Sequence, residues 1–290
     1  MFAGKPITCA VNPCLGREGE ITKAETTKNV VVIGGGPGGL YAAWVCAQRG
    51  HQVTLLEKEP ELGGNFRIAS YPTGKGQLSE AIRAWIVKCQ QAGVDMRCGT
   101  PAEEELLRKL APDAIILASG SVPLILPIPG LADCGYVTAQ DMLAGKTQMK
   151  EKVLVIGGGM VGCEAAEYLA ERGHQVAIVE MKNQIAADVT PENRRYLFAH
   201  FEAHHVQLYA EAKVQRFYPD GVDYILQDGT EGTLRGYENI VLAMGSVPDT
   251  ACKEMVEKIA DQVFVIGEAA KAPGNAVQTT GDALEAALQI

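Results

Sequence analysis

The sequence predicts an α/β chain of two parallel-sheet units, the second inserted into the first. Three observations carry this expectation. The stretch KNVVVIGGGPGGLYAAWVCAQRGHQVTLLEKEPE at 28–61 recurs from Glu151 as EKVLVIGGGMVGCEAAEYLAERGHQVAIVEMKNQ, with a gapless offset between Gly34 and Gly157 of 157 − 34 = 123. Downstream, LASGSVP at 117–123 is echoed as LAMGSVP at 242–248. Finally, an apolar strand (VFVIGEAA, 263–270) arrives after the second unit has closed, so it is expected to return to the first unit's sheet.

Each copy reads as strand, G-x-G-x-x-G turn, helix, and a second strand ending in Glu. The runs VVVI at 30–33 and VLVI at 153–156 are apolar on both faces, which suits a parallel strand covered on both sides. Gly34 and Gly157 permit a tight exit from the strand. Gly36 and Gly159 let the backbone approach a pyrophosphate, and Gly39 and Gly162 let the helix lie close to the sheet. Pro37 and Gly38, and Met160 and Val161 in the second copy, complete the two loops at helix N-termini suited to phosphate. Glu57, followed by Lys58, and Glu180 end the second strands, where a carboxylate accepts hydrogen bonds from adenosine ribose hydroxyls. One such fingerprint arises by chance in glycine-rich turns. Two in register, each with its acid about twenty positions on, point to two Rossmann-like dinucleotide-binding domains.

The remaining elements follow in order. Residues 1–27 are irregular, and 62–76 are glycine-rich with Pro72. Leu78, Ile82, Trp85, Ile86 and Cys89 recur at helical spacing and predict a helix over 77–92. A short strand at 95–97, a helix at 103–109 and a buried strand at 114–118 complete the first unit. The proline-rich stretch 122–131 and a helix near 139–144 read as the crossing to the second unit. That unit has a helix at 191–203 and strands near 207–209, 214–217 and 224–227. Asp228-Gly229 is a hairpin signal, and 239–243 is the closing strand. Gly120 and Gly245 turn the chain after the echoed strands, and a last helix spans 276–290. The expected division is an N-terminal segment 1–27, a first domain 28–148 with 249–290, and a second domain 149–248.

Composition bounds the function. A chain of 290 residues with 47% hydrophobic content can build two cored domains. A net charge of −9 argues against nucleic acid and anionic membranes as partners. The apolar runs are too short to span a bilayer, and the N-terminus lacks a signal-peptide pattern. The eight cysteines are scattered through predicted helices (Cys46, Cys89, Cys163) and turns and form no disulfide framework; most read as small buried hydrophobes. A reducing, cytoplasmic setting is expected.

The segment ITCAVNPCLGREGEI, the first fingerprint and LGGNFRIASYPTGKGQL together resemble the FAD/NAD(P)H-binding half of the NADH:flavin oxidoreductase family. That family includes 2,4-dienoyl-CoA reductases, 2-enoate reductases and trimethylamine dehydrogenase. The resemblance covers essentially the whole chain. It implies the fold of the flavoprotein disulfide reductases, an FAD domain interrupted by an NAD(P)H domain. It further implies that Gly34, Gly36 and Gly39 cradle the FAD pyrophosphate and that Glu57 holds the adenosine ribose. Gly63 and Gly64 would pass near the flavin with Arg67 beside it, and Gly267 and Glu268 would meet the pyrophosphate and ribityl chain. Gly157, Gly159, Gly162 and Glu180 would serve the nicotinamide dinucleotide. The partner it implies is an FMN/Fe–S barrel, as domain or subunit. Two departures stand out. Only Cys9 matches a ligand of the family's four-cysteine cluster, so no Fe–S cluster and no other metal is expected in this chain. Glu268 stands where the superfamily usually has Asp.

The chemistry expected is the cofactors' own: hydride from NADH to FAD, then electrons onward to the barrel, which reduces enoate or dienoyl-type substrates. The chain reads as a separately made or truncated electron-input half. Two other readings remain: a free-standing NAD(P)H:acceptor reductase, for instance toward ferredoxin, and a non-catalytic module holding only ADP. NADH is expected over NADPH because the Glu180 carboxylate repels a 2′-phosphate, with Lys182 as the only nearby cation. His51 and His174 read as structural, and His200, His204 and His205 as solvated. For Glu164, helix capping and a nicotinamide contact stand level.

Overall fold

The computed structural model describes residues 7–290; the first six residues of the N-terminal segment lie outside the described residues. The chain runs β1 (Asn29–Ile33), α1 (Pro37–Gln48), β2 (Gln52–Leu56), α2 (Gly64–Ile68), α3 (Gln77–Gln91), β3 (Asp95–Arg97), α4 (Glu104–Leu110), β4 (Ala114–Leu117) and β5 (Ser121–Pro123). It continues through β6 (Val137–Thr138), α5 (Ala139–Leu143), β7 (Lys152–Ile156), α6 (Met160–Ala170), β8 (Gln175–Val179), α7 (Pro191–Ala203) and β9 (Gln207–Tyr209). Then come β10 (Lys213–Tyr218), β11 (Gly221–Ile225), β12 (Glu231–Leu234), β13 (Asn239–Leu242), β14 (Ser246–Pro248), α8 (Lys253–Val256), β15 (Gln262–Val265) and α9 (Ala276–Leu288).

The first compact unit comprises the stretch ending at Ser70, Gly76–Val122 and Ser246–Ile290. Its parallel sheet has the order β15-β4-β1-β2-β3, and the late strand β15 pairs with β4 in the register Gln262 to Ala114. Alternation along the strands feeds two cores. Val30, Val32, Leu55 and Ile116 pack with Leu40, Trp85 and Leu284 from α1, α3 and α9. Val31, Ile33, Leu56, Ile115 and Leu117 meet Leu107 of α4 and Val256 of α8. Apolar residues on both faces are what a sheet with helices on each side requires. The N-terminal segment straps across the first core. Cys14 is buried and accepts from Tyr41 Oη at 3.2 Å, while Trp85 Nε1 donates to the Val11 carbonyl at 3.3 Å and Thr280 Oγ1 to that of Ala10 at 3.0 Å. The sequence showed no regular element there and nothing of these contacts.

The second unit comprises Tyr71–Lys75 and Pro123–Gly245. Its parallel sheet has the order β6-β13-β7-β8-β9, and β10-β11-β12 form an antiparallel layer. Leu154, Ile156 and Val179 from the sheet share one core with Phe217, Val222 and Leu234 from that layer. The stretch 123–148, expected in the first domain, belongs here. Val137 of β6 pairs with Val241, and Leu131 and Cys134 join the second core. Its prolines gave it the look of a linker, yet it supplies the edge strand. The hairpin at Asp228-Gly229 forms, with Gly229 at φ +86° and Thr230 N–H donating to Asp228 Oδ1 at 2.9 Å. Its second strand, EGTL, carries too little apolar signal to be read in advance.

Both fingerprint turns are built alike. Gly34 and Gly157 leave their strands at φ +107° and +106°. A Cβ on Gly39 would lie 1.8 Å from the Gly34 carbonyl oxygen, and one on Gly162 1.9 Å from that of Gly157. A Cβ on Gly36 would meet nothing nearer than the Gly64 Cα at 4.0 Å. The buried His51 Nδ1 accepts from Lys28 N–H at 3.2 Å, and His174 Nδ1 lies 2.7 Å from the Lys150 carbonyl, so both are structural.

Two stability predictions follow from this geometry. Gly39→Ala and Gly162→Ala should each destabilise by at least about 2–3 kcal/mol, because a backbone carbonyl must move. Gly36→Ala should cost less than about 1 kcal/mol, and urea unfolding of the three variants tests the ranking. Burial, with Arg49 and Lys28 nearby, holds His51 below the ordinary histidine range. As pH falls through about 6.5 the unfolded chain protonates first, so stability should decline there. His51→Gln should flatten that decline in thermal melts taken from pH 8 to 5.

Candidate functional site

In the first unit, α1 starts from Gly36, whose extended backbone leads into Pro37, a residue with no N–H to satisfy. Gly38 is buried against Thr279 and Ile266. Gly63 N–H donates to the Gly35 carbonyl at 2.8 Å, and the left-handed pair Gly63 (φ +114°) and Gly64 (φ +51°) brings the loop over Gly36. Glu57 is 6% exposed. Its Oε2 accepts from Gly35 N–H at 2.6 Å and its Oε1 from Glu59 N–H at 2.8 Å. A carboxylate has about four acceptor positions, so two remain for hydroxyl donors. Lys58 pairs with Asp249 at 3.3 Å and Arg67 with Glu61 at 2.8 Å. Gly120 (φ +77°) accepts from Asp249 N–H. Gly267 N–H donates to Asp282 at 3.3 Å. Glu268 Oε2 accepts from Ser121 Oγ at 2.8 Å and Asn65 Nδ2 at 3.4 Å, and its Oε1 accepts from Gly274 N–H at 3.0 Å.

The second unit repeats the frame. Glu180, 7% exposed, accepts from Gly158 N–H and from Lys182 N–H, both at 2.7 Å. Met160 and Val161 open α6 with exposed side chains. The Met160 N–H donates to both carboxylate oxygens of Asp188, at 2.9 and 3.0 Å. Gly245 (φ +102°) accepts from Leu124 N–H at 2.9 Å. Glu164 is ion-paired with Lys75, which separates it from the capping role that the sequence left open.

Two features escaped sequence reading because they join residues on separate elements. Arg194 and Arg195 of α7 line a cleft of about 530 Å³ with Asn183 and Gln184, so Lys182 is not the only cation near the end of β8. His200 is not merely solvated: its Nδ1 lies 2.9 Å from Glu167 and 3.7 Å from Glu171. Among the described residues these three offer ligand atoms within 4.8 Å of one another. Glu167 on α6 and Glu171, the residue that caps its C-terminus, are one turn apart, a spacing that would have flagged a shared face. Burial raises the Glu167 carboxyl above the usual range, and Glu171 and Glu164 add to that while His200 opposes it.

Burial pushes Cys46, Cys89 and Cys163 up to about 12, so they stay protonated at neutral pH. All eight cysteines are free. Among the described residues no helix is long and apolar enough to cross a membrane.

Comparison with known proteins places this geometry. The family model "Pyridine nucleotide-disulphide oxidoreductase" matches residues 28–283. The chain is 39% identical to an NADH oxidase of Thermoanaerobacter brockii, over 100% of this chain and 46% of that protein. It is 33% identical to a cinnamate reductase of Clostridium sporogenes, over 91% of this chain and 40% of that protein. A solved 2-naphthoyl-CoA reductase in complex with 2-naphthoyl-CoA superposes with a TM-score of 0.92 at 28% identity, covering 98% of this chain and 43% of that one. The chain thus spans less than half the length of these relatives. Two fingerprints on two parallel sheets, with a family match across nearly all of both, place the chain in the pyridine nucleotide-disulphide oxidoreductase family.

Proposed function

We propose that the first unit holds FAD, that the second holds NADH, and that the module feeds electrons to an FMN/Fe–S barrel reducing an enoate-type substrate. The observation that carries this reading is the doubled cradle. In each unit a side-chain-free backbone position at a helix N-terminus lies beside a buried glutamate with acceptor capacity to spare. The open space above Gly36 fits a pyrophosphate, and Glu57 fits a ribose. Gly34 and Gly39 would hold the turn to shape, and Gly63 and Gly64 would cover it. An FAD held there would supply hydride acceptance from a nicotinamide and single-electron release, chemistry that no side chain supplies.

The protein's own part is binding, orientation and exclusion of water. Glu57 and Glu180 are clamped by backbone N–H groups, so each presents a fixed anion to a ribose edge without spending side-chain entropy on binding. At Glu180 that anion disfavours a 2′-phosphate, which supports NADH; Arg194 and Arg195 pull the other way from the neighbouring cleft. The cinnamate reductase and NADH oxidase relatives support the substrate class and the reductant. Their greater length supports an acceptor domain or subunit as partner. Cys14 packs into the first core, and only Cys9 matches a cluster ligand, which supports placing the Fe–S centre outside this chain.

Purified chain should be yellow, with about one FAD per chain, and Gly36→Val should be colourless, whereas Gly159→Val should keep its flavin; the reverse pattern would exchange the two sites. With a dye acceptor, kcat/KM should favour NADH over NADPH by at least about tenfold, and a ratio favouring NADPH would refute the Glu180 reading. The isolated chain should reduce dyes but turn over no enoate or enoyl-CoA substrate, checked by following NADH consumption with each substrate.

A further inference from the structure

The offset of 123 continues past the two buried glutamates, and there the copies diverge. Gly63 N–H donates to the Gly35 carbonyl at 2.8 Å, and its counterpart Ala186 donates to the Gly158 carbonyl at 2.7 Å. Two positions further on, Asn65 corresponds to Asp188, since 188 − 65 = 123. In the first unit the neutral Asn65 side chain turns to Glu268, and the helix N-terminus carries Pro37, which has no donor to cap. In the second unit the Asp188 carboxylate straddles the Met160 N–H with both oxygens. It also fills the space above the fingerprint: a Cβ on Gly159 would meet Asp188 Oδ2 at 3.3 Å, whereas above Gly36 the nearest atom lies at 4.0 Å.

The approach of Asp188 is built in. Ala186 is held at φ +56°, a left-handed conformation that a residue with a Cβ adopts only against a steric cost. Its N–H is pinned to the fingerprint loop, and Val189 N–H closes back on the Ala186 carbonyl at 3.1 Å. The turn thereby fixes the backbone on both sides of Asp188 next to the helix N-terminus.

We infer that Asp188 is an internal competitor for the pyrophosphate of the nicotinamide dinucleotide. This rests on the assignment of that cofactor to the second unit. The carboxylate supplies the anion that α6 attracts, and an arriving pyrophosphate must displace it and then share the site with its charge. The first unit has no such anion at the matching position. One fingerprint is therefore set to retain its dinucleotide and the other to exchange it, which is what a resident flavin and a turning-over reductant require.

Asp188→Asn installs the first unit's residue at the same position with little change of shape. Binding of NAD⁺ and of ADP-ribose to purified flavoprotein is measured by titration calorimetry and by stopped-flow displacement, with adenosine as the phosphate-free control. The variant should bind both pyrophosphates about three- to tenfold more tightly, chiefly through slower release, with adenosine affinity and flavin content unchanged. Asp188→Ala should tighten binding in the same direction, which guards against an effect peculiar to the amide. Unchanged or weaker pyrophosphate binding in both variants overturns the inference and leaves Asp188 a local cap. If the parent chain binds neither NAD⁺ nor ADP-ribose, the assignment of the second site falls, and the inference with it.

Discussion

Each βαβ motif depends on one close approach that no side chain can share. The Gly34 carbonyl lies where a Cβ of residue 39 would be, and the Gly157 carbonyl does the same at residue 162. This contact seats the first turn of α1 or α6 directly on the exit of its strand. Everything else at the site follows from that placement. It aims the helix N-terminus at the loop above, and it leaves residue 36 facing open space and residue 159 facing the Asp188 carboxylate. It also brings the second strand's terminal glutamate within reach of Gly35 or Gly158 N–H. A methyl group at the contact would push helix from strand and open the cradle.

The two cradles share one backbone frame and differ in their surroundings. Glu57 and Glu180 are bound by equivalent pairs of amides and buried to nearly the same degree. The differences lie in what surrounds them. The first site is closed by residues from the far end of the chain, with Glu268, Gly267 and the N-terminus of α9 gathered near Asn65, Ser121 and Gly38. The second is flanked by the turn carrying Asp188 and by the arginines of α7. The first site thus draws on three distant stretches of the chain, and the second on one turn and the helix that follows it.

Much of this was legible in the sequence. Gapless repetition exposed both fingerprints, both glutamates and the helix–strand order, because a βαβ unit is a local structure whose glycines and periodicity are written within some thirty residues. The late strand was legible too, since an apolar run after a closed unit needs an open sheet edge, and β4 offered one. The position of 123–148 was not. Its prolines signal an irregular path, and a two-residue edge strand has no periodicity to detect.

The sequence by itself determined which backbone positions must lack a side chain and which acids end the strands, because those requirements act over a few residues. Only the tertiary structure decided what charge meets each helix N-terminus. Asp188 reaches Met160 across 28 positions, Glu164 is taken by Lys75 across 89, and Ser121 reaches Glu268 across 147. Such pairings follow from how loops converge after the sheets form, and side-chain charge acts through space, with no regard for spacing along the chain.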